Sequence, residues 1–448
     1  MHADTSKVNA VSFAAHLQRE AKYTVGWFGK HMNLYPHKPP PGFDCPTCRW
    51  FVNGGGVDLE PGGYLNATFS DFFGNVPVSG SRYHHSAGQY QADTSGEFAG
   101  YTTSIIANKS IEWVKQVAKG PHPFFVAVAP KGPHVPSTPA PWYEGAFSER
   151  IAPRTPDYNA SAEQLAEHHW LIAQQGPITA KQGGIIDELF RNRWRTLLSV
   201  DDAIASMVGA LDELGVSHAT YIIITSDHGF NLGQHRLPSC KLNVYDHAVR
   251  IPMVVRGPGI APGSVFDSLV SNVDLGPTIL GLAGIDGYAV KPAMDGRSFV
   301  ELLVDARDSA ILPATRRHLQ EQTSSTPWRS YHLIEYHSLG NVVRTEHLVD
   351  DIHSNTYRAL RFSHNAPIGS GGLLYAEFTA LDDWNFTRQP FVEIFDMDDD
   401  PHQLVNLARK VPLKTKDRLH ELLESMWRCS GRSCEEQGQG LGEAMFVI

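Results

Sequence analysis

One feature narrows what this chain can fold into: a long helical stretch runs into a short β-branched run, and that run ends in an acid beside an imidazole. From about residue 185 to 214, Leu189, Phe190, Trp194, Leu197, Leu198, Ile204, Met207, Val208 and Leu211 repeat at helical spacing, and Gly215 supplies the residue on which such a helix stops. Tyr221 to Thr225 are then β-branched or aromatic without a break, which predicts a strand buried on both faces of a mainly parallel sheet. Helix and strand together read as half of a βαβ unit. Ser226, Asp227, His228 and Gly229 follow directly. Ligands of open α/β sheets bind beyond the carboxyl ends of strands, so Asp227 and His228 are metal-ligand candidates there. The alternative is that Asp227 caps a turn. Gly229 is expected to let the backbone turn sharply below the pair.

The rest of the chain falls in around that unit. Residues 8–22 predict a short amphipathic helix and YTVGWFG a strand closing on Lys30 and His31. From Tyr35 to Tyr64 the sequence is too rich in Pro, Gly and aromatics to hold a regular element for long. Residues 104–119 predict a helix and FFVAVA (124–129) a second buried strand, which ends in Pro130-Lys131-Gly132-Pro133-His134. Between 136 and 184 lies a Pro-punctuated excursion expected to form an active-site rim. Residues 251–255 predict another strand and 275–282 a short helix. Past residue 295 the texture changes: YHLIEYH, YRALRF, LLYAEFT and VEIFDM are short strands between turn residues, followed by a helix near 411–427. The fold class is therefore α/β, a mainly parallel central sheet flanked by helices over 1–300 and a smaller antiparallel sheet with a helix over 301–448.

A formal charge of −10 and the lack of any long Lys/Arg run argue against nucleic acid as a partner. No apolar run approaches the roughly 18 residues that span a membrane. The opening residues MHADTSKVNAVSF lack a basic region followed by an apolar core, so the chain as written carries no signal peptide. Four sequons, at Asn66, Asn108, Asn159 and Asn385, still lean towards the secretory route. Cys429 and Cys434 enclose SGRS, a loop that a disulfide closes in an oxidising compartment. Cys45 and Cys48 read either as a second small loop or as half of a zinc site, with no second Cys/His pair at suitable spacing to complete it.

With these segments in place the chain resembles the sulfatases, and among them the N-acetylglucosamine-6-sulfatases that remove 6-sulfate from heparan and keratan sulfate. The resemblance is carried by GWFGKHMN (26–33), APKGPHVPSTPAPWY (129–143), HWLIAQQGPIT (169–179), FRNRWRTLLSVDDAI (190–204), TSDHGFNLGQHRLPSCK (225–241), RIPMVVRGPGI (250–260), VDLGPTILGLAGI (273–285) and DMDDDPHQLVNL (396–407). It implies one divalent ion, normally calcium, with Asp227 and His228 among its ligands. It further implies Lys241 on the sulfate and leaving oxygen, His134 on the leaving-group side, and Lys30 on a sulfate oxygen and the nucleophile. Against these stand ordinary roles: Lys30 as an exposed strand-end lysine, His134 as a solvated loop residue. His31, His235 and His247 are taken as surface or supporting residues. A sulfated glycosaminoglycan partner and a lysosomal or secreted location follow from the same likeness.

One departure is large. Sulfatases carry, ahead of the Gly-Lys strand, a strand ending in two adjacent aspartates and then Cys/Ser-x-Pro-Ser-Arg, whose Cys or Ser becomes the formylglycine nucleophile. Neither precedes Lys30 in these residues. Cys45-Pro-Thr-Cys-Arg49 has its proline one position early and lies after the Gly-Lys segment; Ser79-Gly-Ser-Arg82 has no proline. The expectation is a family member presented as an N-terminally truncated sequence and inactive as such. The alternatives are a sulfated-glycan-binding pseudoenzyme and a phosphoric or phosphonic ester hydrolase on the same scaffold.

Overall fold

The computed structural model describes residues 12–31, 39–40, 42–53, 64, 68–74, 76–84, 100–239, 241–287, 289–290, 293–305, 307–321, 328–338, 355–364, 372–380 and 382–437. Helix α1 (Phe13–Ala21) starts on Ser12, whose hydroxyl accepts from the Ala15 amide at 3.3 Å, and ends on Lys22 in the left-handed region. Strands β1 (Thr24–Gly29), β2 (Arg49–Asn53), β3 (Thr68–Phe73) and β4 (Val76–His84) follow, then α2 (Thr102–Val117) and β5 (Phe124–Ala129). The five strands form one sheet in the order β4-β3-β2-β1-β5. β1 is parallel to both β2 and β5, and β3 and β4 extend the sheet antiparallel. A strand without charge, TVGWFG, thus lies inside the sheet between β2 and β5, as burial on two faces requires. Phe28 packs with Phe51, Trp113 and Val114 on one side, and Val25 packs with Leu17, Trp50 and Leu280 on the other.

Next in the chain are α3 (Ala180–Glu213), β6 (Ile222–Thr225), α4 (Asp246–Val249), β7 (Met253–Arg256), α5 (Leu275–Leu282) and α6 (Pro313–Glu321). α3 begins ahead of the expected start because Thr179 and Gln182 form a reciprocal capping box. Its apolar stripe is narrower than the periodicity suggests. Trp194 and Leu197 are 43% and 41% exposed, with Trp194 set edge-on to Phe147 of the 136–184 excursion. The larger correction concerns β6. Among the described residues it pairs only with β7, antiparallel, and Ile224 is 37% exposed, so it is neither buried on both faces nor a parallel neighbour of β5. An apolar run specifies burial tendency but not hydrogen-bonding partner, and the chain's return through α4 offers β7 as the near one. Ile222 still packs with Phe124 and Val126, and Ile223 lies against Val300 and Ile311.

Strands β8 (Tyr331–Tyr336), β9 (Thr356–Phe362), β10 (Leu373–Thr379) and β11 (Phe391–Asp396) form the C-terminal antiparallel sheet in the order β11-β10-β9-β8, followed by α7 (Leu413–Arg428). One face packs on Leu419, Leu423 and Met426 of α7. The other takes Ala160, Leu165, Leu171 and Ile172 of the excursion, together with Leu237, Val244 and Tyr245. The excursion expected to be a rim is in large part a packing layer under this subdomain. Arg358 of β9 is buried within the subdomain, 2.8 Å from Glu377 and 2.6 Å from Glu424. Cys429 is disulfide-bonded to Cys434, and Cys45 to Cys48, which closes the second small loop and not a zinc site. Among the described residues no helix is long and apolar enough to cross a membrane.

Candidate active site

The carboxyl ends of β1, β5 and β6 bring the candidate residues together. Gly29 ends β1 at φ 102°, where a Cβ would lie 2.1 Å from the Ala129 carbonyl oxygen, so only glycine lets Lys30 sit hard against the end of β5. The Lys30 amide donates to that same oxygen at 2.7 Å. Burial lowers the pKa of the Lys30 ammonium; Asp227 raises it and Lys241 lowers it further. Lys30 therefore shares one electrostatic neighbourhood with both.

The loop after β5 is held from behind. The Tyr64 hydroxyl reaches the carbonyls of His134 at 2.7 Å and Lys131 at 3.3 Å, and Ser137 Oγ donates to Pro133 at 3.0 Å. His134 Nδ1 lies 2.6 Å from the Val135 carbonyl, which only accepts, so the proton sits on Nδ1 and leaves Nε2 bare in the neutral ring. Burial pulls the His134 pKa down, and although the Val135 carbonyl favours the charged ring, Lys30, Lys241 and Lys131 disfavour it. His134 is a half-buried imidazole ringed by lysines and not a solvated loop residue.

On the β6 side, His228 Nδ1 donates to the Gly229 carbonyl at 2.8 Å, which again frees Nε2, here 3.5 Å from Asp227 Oδ2. The His228 amide and Ser226 Oγ donate to Asp227 Oδ1, and Asn272 Nδ2 braces the carbonyls of Ser226 and Asp227 at 3.2 and 3.1 Å. Burial lowers the His228 pKa; Gly229 and Asp227 oppose that shift, Lys241 and Lys30 add to it. Gly229 is required for a different reason from the sharp turn expected: a Cβ there would lie 2.1 Å from the His247 carbonyl oxygen, and the Gly229 amide bonds to Ala248 at 2.7 Å. Glycine lets the loop lie flat on α4.

Two cations at this site were not assigned from the sequence. Arg193 of α3 donates to Pro133 at 2.9 Å and lies 4.0 Å over the Phe230 ring, and burial lowers its pKa to about 10 against the pull of Tyr64 and Asp227. Lys131 is 9% exposed and sits 5.5 Å over the Tyr64 ring. Both stand in quoted segments, PKGPH and FRNRWR, but a helical arginine carries no signal of direction until the helix is docked. Asp227 and His228 supply one carboxylate and one imidazole. Among the described residues no third carboxylate, Cys or His stands with them, whereas calcium takes six to eight oxygens, so this pair alone does not fit a calcium shell.

The other sequence-chosen residues are scattered. Asn108 and Asn385 are exposed, and Asn66 lies outside the described residues. Asn159 engages both amide atoms with Ile178, Oδ1 accepting at 2.7 Å and Nδ2 donating at 3.3 Å. His235, taken as a surface or supporting residue, is fully buried, because it stacks 4.3 Å from Tyr245 in the layer under the C-terminal sheet.

The family model described as "Sulfatase" matches residues 20–285, and one described as "N-sulphoglucosamine sulphohydrolase, C-terminal" matches 233–367. The N-acetylglucosamine-6-sulfatase of Bos taurus is 32% identical over 95% of this chain and 70% of its own length, and that of Homo sapiens is 31% identical over 95% and 71%. Among solved structures, BT4656 in complex with its substrate D-glucosamine-2-N,6-O-disulfate superposes with a TM-score of 0.64 at 20% identity, covering 97% of this chain and 86% of its own. The phosphonate monoester hydrolase SpPMH from Silicibacter pomeroyi superposes with a TM-score of 0.57 at 19% identity, covering 93% and 79%. On the extent of the family match and the identity to these relatives, the chain belongs to the sulfatase family.

Proposed function

We propose that this chain binds a 6-sulfate ester on N-acetylglucosamine in a glycosaminoglycan such as heparan or keratan sulfate, as a sulfuric ester hydrolase family member. The observation that carries this is the convergence of Lys30, Lys241 and His134 on the Asp227–His228 corner. The names of the relatives supply the sugar. Breaking the ester places negative charge on the bridging oxygen and the peripheral sulfate oxygens. Lys30 and Lys241 stabilise that charge, and His134 delivers a proton to the departing alkoxide. Nε2 of His134 is bare in the neutral ring, so the proton it gives must first be taken up; an anion among the lysines offsets the repulsion that keeps it off. Calcium, at Asp227 and His228, is the ion proposed, bound weakly by these residues alone.

Within residues 1–448 no Cys/Ser-x-Pro-Ser-Arg occurs, so the formylglycine nucleophile of the family has no source among them. We take the polypeptide as written to hold the ester without turning it over, because loss of a nucleophile leaves water to attack at a rate lower by several orders of magnitude. We divide the chain into a sulfatase-like unit, 1–300, and a C-terminal subdomain, 301–448, and place it in the lysosome or outside the cell. The two disulfides and the exposed Asn108 and Asn385 support that location.

Incubation with a 6-sulfated N-acetylglucosamine oligosaccharide tests this. Saturable binding with no released sulfate is expected; released sulfate together with an aldehyde at Cys45 or elsewhere by mass spectrometry would overturn it. A phosphoric or phosphonic ester hydrolase remains the second reading because SpPMH shares the fold. Competition by aryl phosphate stronger than by aryl sulfate would favour it.

A further inference from the structure

A second cluster, independent of the ester site, joins three segments that the sulfate chemistry does not use. Asp157 of the excursion is completely buried, and although His247 and Thr155 stand close enough to hold its pKa low, neither carboxylate oxygen receives a hydrogen bond of full geometry. His247 Nε2 of α4 stands 2.9 Å from Oδ2, and His402 Nδ1, from the loop after β11, stands 3.3 Å from Oδ1. All three donor atoms lie within 4.8 Å of one another. Close N···O approaches without hydrogen-bond direction are what ligands show when their lone pairs converge on one point. Bonds of 2.0 to 2.1 Å to a tetrahedral ion set neighbouring donors about 3.3 Å apart.

A further buried group faces the same point. His235 is fully buried with Nε2 against the Gln403 carbonyl at 3.3 Å, so that nitrogen carries the proton. Its bare Nδ1 has no hydrogen-bond partner and lies 3.9 Å from Asp157 Oδ2. A buried carboxylate facing three imidazoles needs a positive charge beside it. The segments are already locked together: the His235 amide bonds to the Asp157 carbonyl at 2.8 Å, and the Asp246 amide to Gln403 Oε1 at 2.8 Å. The side chains of His247 and His402 are each 31% exposed, which leaves an ion a way in.

We propose that Asp157, His247 and His402 bind a zinc-class divalent ion, with the bare Nδ1 of His235 as the fourth donor. Two imidazoles and one carboxylate suit zinc and its neighbours and not calcium. The ion would tie the excursion and α4 to the C-terminal subdomain.

The test uses the whole 448-residue chain, stripped with chelator, loaded with Zn2+ and dialysed before elemental analysis. About one zinc per chain is expected to stay, and Co2+ loaded in its place should give the absorption bands of a four-coordinate site. His402→Ala and His247→Ala should each cut retained zinc at least tenfold, while Asp227→Ala, at the other metal candidate, keeps it. No retained zinc in the unaltered chain, equal retention in His402→Ala, or loss in Asp227→Ala would overturn the proposal. Should a variant not fold, anomalous scattering at the zinc edge from crystals of the unaltered chain decides, by a peak between the three side chains or none.

Discussion

Two clusters of charge in this molecule are built in opposite ways. Around Arg358 the buried charges are given partners: Arg358 lies 2.8 Å from the equally buried Glu377 and 2.6 Å from the partly exposed Glu424, with Tyr375 and His420 each 2.6 Å from the remaining Glu377 oxygen. At the carboxyl ends of β1, β5 and β6, Lys30 and Lys241 each act electrostatically on the other's neighbourhood and on His134, and among the described residues neither ammonium has a carboxylate at salt-bridge distance. Like charges held close cost free energy, so a fold keeps such an arrangement where an incoming anion relieves it. The first cluster is a structural part, and the second is the site we propose.

Removing a charge must therefore act oppositely in the two places. Arg358→Ala removes the cation beside the buried Glu377 carboxylate and should destabilise the chain by about 3–5 kcal/mol, read from the urea midpoint at unchanged slope. Lys241→Ala removes a repulsion, so the midpoint should stay within about 0.5 kcal/mol or rise. The same variant should weaken binding of a 6-sulfated sugar by roughly ten- to a hundredfold, as loss of a charge-assisted contact does.

Acidity sharpens the contrast. His134 is held below its ordinary pKa when free, and a bound sulfate raises it, so affinity should increase as pH falls from 7.5 through about 6.5 and below. Stability should move the other way. Burial holds His31 and His235 at about 4 and His169 and His332 at about 3. Their folded pKa values lie below the unfolded value of about 6.5, so the folded state binds fewer protons; their contribution is whole above that pH and is lost as pH falls towards 4 and 3. Melting and affinity titrations over pH 7.5–4.5 should therefore slope in opposite directions, and affinity should become flat in His134→Ala. The smallest effect is calcium's: with Asp227 and His228 as the donors, titration calorimetry should find affinity weaker than micromolar.

Much of this was legible from residue pattern. The C-terminal strands lie within a residue of their expected positions because the turn residues between them fix their ends, and α5 spans the expected 275–282. Lys30, His134, Asp227 and His228 were findable because they stand at the carboxyl ends of apolar runs. Pairing was not legible: nothing in IIIT says that β6 takes β7 antiparallel and stays off β5. Arg193 was invisible because its direction depends on how α3 docks. Asp157, His235, His247 and His402 lie far apart in sequence, and only the layer of excursion, α4 and C-terminal sheet brings them to one point.

The central claim is that the lysine-lined corner at the strand ends is a seat for a sulfate ester. Calorimetric titration of the chain with 6-sulfated N-acetylglucosamine, beside the unsulfated sugar, measures it directly in the unaltered protein, Lys30→Ala and Lys241→Ala. Binding of the sulfated sugar alone is expected, weakened in both variants while their unfolding midpoints hold. Equal binding of the two sugars, or undiminished binding in both lysine variants, would contradict it.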